Sequence, residues 1–192
     1  MKAGQGLEQT TPPTARPLTC SQLKAHLRVD GSEEDALVDA LLAAATGYVE
    51  RFTRRQLVTA SYRWTLPEFP ETFLVPRPPL RSVTAIEYVD TAGTTQTLSA
   101  DAYTVLTGAL PGRIHPAWSE SWPSARSVPE AVTVTYQAGF GAAADVPEML
   151  KTAIRLLAGH WFEHREAATE ERIEALPLAV QNILWFYRVP GA

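Results

Sequence analysis

Two periods divide this chain. From Leu18 to Tyr48, and again beyond Asp145, apolar residues recur every three or four positions, as they do on helices. Between these stretches apolar and polar residues alternate, as they do along half-buried strands. The first helix is expected over 18–28. Thr19 is its N-cap, Gln22 completes a capping box, and Leu18 and Leu23 stand where a hydrophobic staple would sit. A second helix is expected from Ser32, with Ser32 and Asp35 as another capping-box pair and Glu33 and Glu34 in the first turn. Arg51, Arg54 and Arg55 lie at its far end, where cations favour the helix dipole. It carries two apolar faces, Leu37, Leu41, Ala44, Tyr48 and Val38, Leu42, Ala45, Val49. A surface helix needs only one such stripe, so this helix is expected to pack on two sides.

In "LVTASYRWTL", Val58, Ala60, Tyr62, Trp64 and Leu66 alternate with polar residues, predicting a strand. "RSVTAIEYVD" and "TTQTLS", joined around Ala92-Gly93, predict a hairpin. "AYTVL" adds a short strand. "AVTVTYQAGF" adds another, with Val132, Val134 and Tyr136 on one face. "PRPPL" and "PGRIHPAWSESWPSARSVPE" are too rich in proline for central strands. They are expected to be ordered loops anchored by Trp118 and Trp122. Helix returns with Asp145 as cap, Pro147 in the first turn and an end near Glu166; after the polar stretch "EAATEERIEA", Pro177 opens a last helix, "PLAVQNILWFYR".

The expected fold class is therefore α+β: a small helical bundle of about four helices, with an antiparallel β region inserted between helices two and three. The divisions are a flexible N-terminal arm (1–17), N-terminal helices (18–56), a β-rich insertion (57–140) and C-terminal helices completing the bundle (145–192).

The 192 residues carry 45% hydrophobic and 20% charged side chains, ordinary for a globular protein. The formal charge of −4 argues against a surface devoted to gripping nucleic acid. One cysteine, Cys20, excludes an internal disulfide framework. No membrane span is expected, because no apolar run approaches the ~20 residues a bilayer requires, and no secretory signal, because "MKAGQGLEQTTPPTARP" has no apolar h-region.

Three motifs invite chemistry. His160-Trp161-Phe162-Glu163-His164 reads H-x-x-E-H, the inverted zinc-hydrolase signature. Catalytic zinc needs a third protein ligand. Glu170, Glu171, Glu174 and His115 are the available donors, and spacing marks none of them. The alternative function, a zinc-dependent hydrolase, rests on this helix; against it stand two histidines at the margin of a packed surface. "GFGAAA" at 139–144 matches a dinucleotide turn, but the next helix begins too late for its glycines to place a phosphate on its N-terminus. Cys20 lies in a first helical turn, where a thiolate would be stabilised, and reads more simply as a small buried residue. No catalytic residue, metal or cofactor is expected.

The last helix is more informative. From Leu178 to Tyr187, eight of ten residues are apolar. Such a segment is hard to hide within one small domain, and aromatics at that density suit an interface. The candidate interface set is Leu178, Ile183, Leu184, Trp185, Phe186 and Tyr187, with Trp118 and Trp122 in the loops.

Read in order, "SQLKAHLRVDGSEEDALVDALLAAATGYVERFTRRQL", "VPRPPLRSVTAIEYVDTAGTTQTL", "PGRIHPAW", "VTVTYQAGFG", "DVPEMLKTAIRLLAGHWFEHREA" and "LPLAVQNILWFYRV" resemble the head–tail connector (neck adaptor) proteins of long-tailed phages, in the branch with a β insertion, which also occurs in gene-transfer agents. The resemblance spans nearly all of 18–189. It implies a structural virion protein in the neck between capsid portal and tail, present in host cytoplasm during assembly. Copies would form a ring, expected to be twelvefold, under the portal protein, and offer a platform to a downstream neck or tail-completion protein. DNA would pass through the ring without specific binding, which the acidic balance suits. No catalysis or cofactor is implied. His164 departs from the family pattern, and residues 1–17 lie outside it.

Overall fold

The structure, a computed structural model, describes residues 6–164 and 177–190. In chain order its elements are β1 (Gly6–Thr11), α1 (Cys20–Leu27), α2 (Asp35–Thr53), β2 (Ala60–Leu66), β3 (Phe73–Leu74), β4 (Leu80–Val89), β5 (Thr95–Thr97), β6 (Tyr103–Leu106), β7 (Arg113–Pro116), β8 (Val132–Ala138), α3 (Glu148–Glu163) and α4 (Leu178–Tyr187). They form two compact units. The β unit holds 59–140 together with the chain up to Thr14; the helical unit holds 15–58 and 141–190. The α+β class and the β region between the second and third helices are as expected.

The β unit has two antiparallel sheets, one ordered β1-β2-β8-β4-β5 and one ordered β3-β7-β6. Strand alternation sets its core. Tyr62 and Trp64 of β2, Val132, Val134 and Tyr136 of β8, Leu80 and Ile86 of β4, Phe73 and Ile114 all point into one buried cluster. Tyr62 and Tyr136 stack at 5.6 Å, and Trp64 meets Phe73 edge-on at 5.9 Å. The Tyr136 hydroxyl donates to the Pro76 carbonyl at 3.0 Å, which satisfies the polar end of a fully buried side chain. Burial of that ring drives its ionisation far above the ordinary tyrosine range.

Two expectations fail in this unit. The N-terminal segment is not a free arm: residues 6–11 form β1, paired with β2 from Gly6↔Thr65 to Thr11↔Ser61. Only Leu7 of that strand packs on the core, so the hydrophobic pattern carries almost no signal; main-chain pairing to an open sheet edge makes the strand. The stretch "PGRIHPAW" is also not wholly loop. Arg113–Pro116 is the central strand of the smaller sheet, and Ile114 is fully buried. Its prolines flank the ladder: Pro111 precedes it and Pro116 ends it, so the inner main-chain donors stay available.

In the helical unit, the α1 cap is as expected, with the Thr19 hydroxyl accepting from Gln22 N and Gln22 Oε1 accepting from Thr19 N. Helix α2 starts at Asp35 and not at Ser32. The Asp35 carboxylate, needed for the expected box, is engaged by the Lys24 ammonium of α1. Val38, Leu42, Ala45 and Val49 of α2 face inward with Leu150, Ala153, Ile154, Leu157 and Ala158 of α3, while Leu37, Leu41 and Tyr48 remain half-buried. Asp145 does not cap α3. Its Oδ2 accepts from Ala142 N at 2.8 Å and holds a single tight turn, and Pro147 takes the N-cap position. Helix α3 ends at Glu163, short of Glu166, with His164 as C-cap. The "EAATEERIEA" stretch lies outside the described residues. Helix α4 begins after Pro177 as expected.

Candidate functional site

Helix α4 is short, and its residue types sort sharply by face. Val180 and Leu184 are fully buried, and Val189 just beyond the helix is nearly so. The opposite face holds Leu178 (76% exposed), Trp185 (59%) and Phe186 (78%). Leu178, Asn182, Trp185 and Phe186 are spaced by three, four, seven and eight residues, so they share one side of the helix. Three large apolar groups exposed together on a ten-residue helix are what docking surfaces display.

The helix is fastened at its C-terminal end. Arg55 Nε donates to the Tyr187 carbonyl at 2.6 Å, and Val189 N donates to the Thr53 carbonyl at 3.1 Å. These close carbonyls at the ends of α4 and α2 that no helical turn can satisfy. Burial lowers the proton affinity of the Arg55 guanidinium, and Tyr187 opposes that. The Arg188 guanidinium lies 4.6 Å from the Trp185 ring and 5.5 Å from Phe52. Phe52 meets Trp185 edge-on at 5.7 Å, Tyr48 stacks on Phe52 at 6.2 Å, and Trp161 meets Tyr48 edge-on at 6.1 Å. The exposed face of α4 thus continues into a run of half-buried aromatics along α2 and α3.

The residues proposed from sequence divide accordingly. Leu178, Trp185 and Phe186 present surface; Ile183 and Tyr187 lie half-buried at the margin. Leu184 is a core residue, because its position places it on the inner face beside Val180, and it offers nothing to a partner. Trp122 is half-buried and packs against the β core: it stacks on Phe69 at 5.3 Å, meets Phe73 at 5.1 Å, and donates from Nε1 to the Glu71 carbonyl at 3.3 Å. Trp118 anchors nothing. It is 96% exposed, beside a shallow depression lined by His115, Thr104 and Glu120. Sequence reasoning placed Tyr48 on the second face of α2 but passed over Phe52 and Arg188; the available signal was the i, i+4 spacing of Phe52 from Tyr48 and the i, i+3 spacing of Arg188 from Trp185.

The H-x-x-E-H histidines stack with ring centroids 4.6 Å apart, and His164 Nδ1 lies 3.0 Å from the His160 carbonyl oxygen. His115 belongs to β7, where its Nδ1 lies 3.1 Å from the Thr72 hydroxyl. Glu170, Glu171 and Glu174 lie outside the described residues. Among the described residues no three His, Cys, Asp or Glu side chains are grouped to hold a metal ion, and no helix is long and apolar enough to cross a membrane. Gly139 and Gly141 adopt positive φ, and the tight turn at 143–145 separates them from α3, so the glycines do not open a helix.

The family model for "Head completion protein" matches residues 18–189. Chains of three solved assemblies share the fold. One, from the "neck of empty GTA particle computed with C6 symmetry", is 25% identical, with a TM-score of 0.77 and 97% of each chain covered. A second, from the "neck of native GTA particle computed with C12 symmetry", is 24% identical with the same TM-score and coverage. A third, from the "virion of native gene transfer agent (GTA) particle", is 24% identical at TM-score 0.77, covering 97% of this chain and 96% of the other. No curated protein sequence matches significantly.

Proposed function

Because this chain belongs to the head completion protein family, we propose that it works as a structural head–tail connector in the neck of a virion or gene-transfer agent particle. Its role is mechanical: it joins a DNA-filled head to the components on the tail side. The observation that carries this is the family match over 18–189 together with the full-length similarity to a neck chain of a GTA particle.

We infer further that copies close into a ring, expected to be twelvefold, beneath the portal protein, and that a downstream neck or tail-completion protein docks below. The cyclic symmetry of the similar neck assemblies supports a ring. A head-to-tail ring needs two unlike lateral surfaces on each subunit. The exposed face of α4, running on through Phe52 to Tyr48 of α2, is an apolar surface the helical unit has available for one of them. Leu178, Trp185 and Phe186 are the anchors of the α4 surface. The −4 charge suits a conduit through which DNA slides.

The test mixes purified protein with its cognate portal and images both alone and together. Rings on portal vertices, lost when Leu178 and Phe186 are both changed to Ser while the thermal melt is kept, are the expected result. A protein that stays monomeric and ignores portal overturns the connector reading. Rings and portal binding that survive the double change overturn only the role of α4.

A further inference from the structure

We propose that β1 is an exchanged strand: in the assembled ring, residues 6–11 of one copy pair with the β2 edge of the next copy. This deepens the ring reading above and rests on it.

Four observations converge on it. First, β1 lies entirely before the segment that the family model matches, 18–189. Secondly, β1 is held mainly by main chain, with Gly6 N donating to the Thr65 hydroxyl at 3.2 Å and Gln9 Nε2 to the Tyr62 hydroxyl at 3.5 Å. Of its side chains only Leu7 packs on the β core, and residues 8–11 are exposed. Nothing in that pairing requires the strand and the edge to come from one polypeptide. Thirdly, without β1 the seven-residue β2, carrying Tyr62 and Trp64, would be an open sheet edge, a surface that proteins normally cover. Fourthly, the chain leaves β1 through a stiff hinge. Pro12-Pro13-Thr14-Ala15 is immediately followed by Arg16, whose guanidinium is paired with the Asp39 carboxylate of α2, and the boundary between the two compact units falls at 14/15. Paired prolines hold such a hinge extended, and short stiff hinges favour exchange of a terminal element over folding back.

Exchange is a low-cost way to bind copies together, because each pairing is already native and only its owner changes. Each subunit would give one strand and receive one. That makes the contact heterologous, as a closed ring requires. Every copy would then be laced to the next by a full set of strand hydrogen bonds as well as by apolar contact.

Glu8 and Arg63 are directly opposed across β1 and β2, and both are exposed. Opposed residues of antiparallel strands have Cα atoms within reach of a disulfide. The test is Glu8→Cys with Arg63→Cys in a Cys20→Ser background, assembled under reducing conditions and then treated with an oxidant or a short bis-maleimide. A non-reducing denaturing gel should show the monomer band lost into a ladder of covalent multimers up to ring size. Intact rings that yield only internally bridged monomers overturn the exchange and leave the connector reading standing. Absence of both products means that β1 is not on β2 in the assembly, and overturns it too. A protein that forms no ring overturns both. As a second measurement, deletion of residues 1–11 should leave the monomer melt near its original temperature while the ring dissociates on dilution. A ring of unchanged dilution stability overturns the exchange.

Discussion

Leu184 and Phe186 stand two positions apart on α4 and face opposite surroundings, the first the core of the helical unit and the second solvent. The same truncation therefore has different consequences. Leu184→Ala should lower folding stability by about 2–5 kcal/mol, as loss of a buried leucine does, and assembly only in consequence. Phe186→Ala should leave chemical denaturation within about 0.5 kcal/mol of the parent and weaken ring or portal association by more than about 2 kcal/mol. Denaturant melts and sedimentation at graded concentration separate the two. Asp90 offers a second check. Its carboxylate accepts from the Gln96 side chain and from Thr94 N and Ala92 N, all at 2.9 Å, and these bonds hold its ionisation below the usual carboxylate range. The folded value is depressed, so the stabilisation is fully present above about pH 3.9, the ordinary aspartate value, and is lost as pH falls through the folded value. Asp90→Asn should remove that part of the acid sensitivity, read as a smaller difference from the parent at pH 3 than at pH 7.

Among elements, those declared by strong local pattern match the structure and those made by pairing do not. The α1 cap was legible because Thr19 and Gln22 satisfy each other within one turn. Strands β2 and β8 were legible because their alternation is uninterrupted. The start of α2 was not, because a lysine on another helix engages Asp35, and no local window contains that partner. Strand β7 hid between prolines, and β1 hid in a polar threonine-rich stretch whose only apolar contribution is Leu7. The α4 surface was legible as an excess of apolar residues, yet its orientation was not: sequence placed Leu184 with Phe186, and only the packing of Val180 and Leu184 against the bundle distinguishes them. The two tryptophans expected to anchor loops carry the same lesson. Trp122→Ala should destabilise the β unit by about 2–4 kcal/mol, since it opens the stack with Phe69 and Phe73. Trp118→Ala should change stability by less than about 0.5 kcal/mol. Thermal melts of the two variants give the comparison.

At the scale of the whole molecule, charge and connectivity matter more than any side chain. With 21 acidic against 17 basic residues, the protein should show no salt-dependent retention of duplex DNA in gel-shift assays from low to physiological ionic strength. Retention that weakens steeply with salt would contradict a channel wall that lets DNA pass. Connectivity has a separate consequence. Val58 and Gly141, the last residue before the β segment and the first after it, are partnered in a parallel bridge. The inserted polypeptide therefore leaves the helical scaffold and returns to it at a single doorway. A few glycine and serine residues would reach across that gap, so residues 59–140 behave as a cassette: removable by splicing, and replaceable by a foreign sheet of similar end spacing without disturbing the helices that carry it.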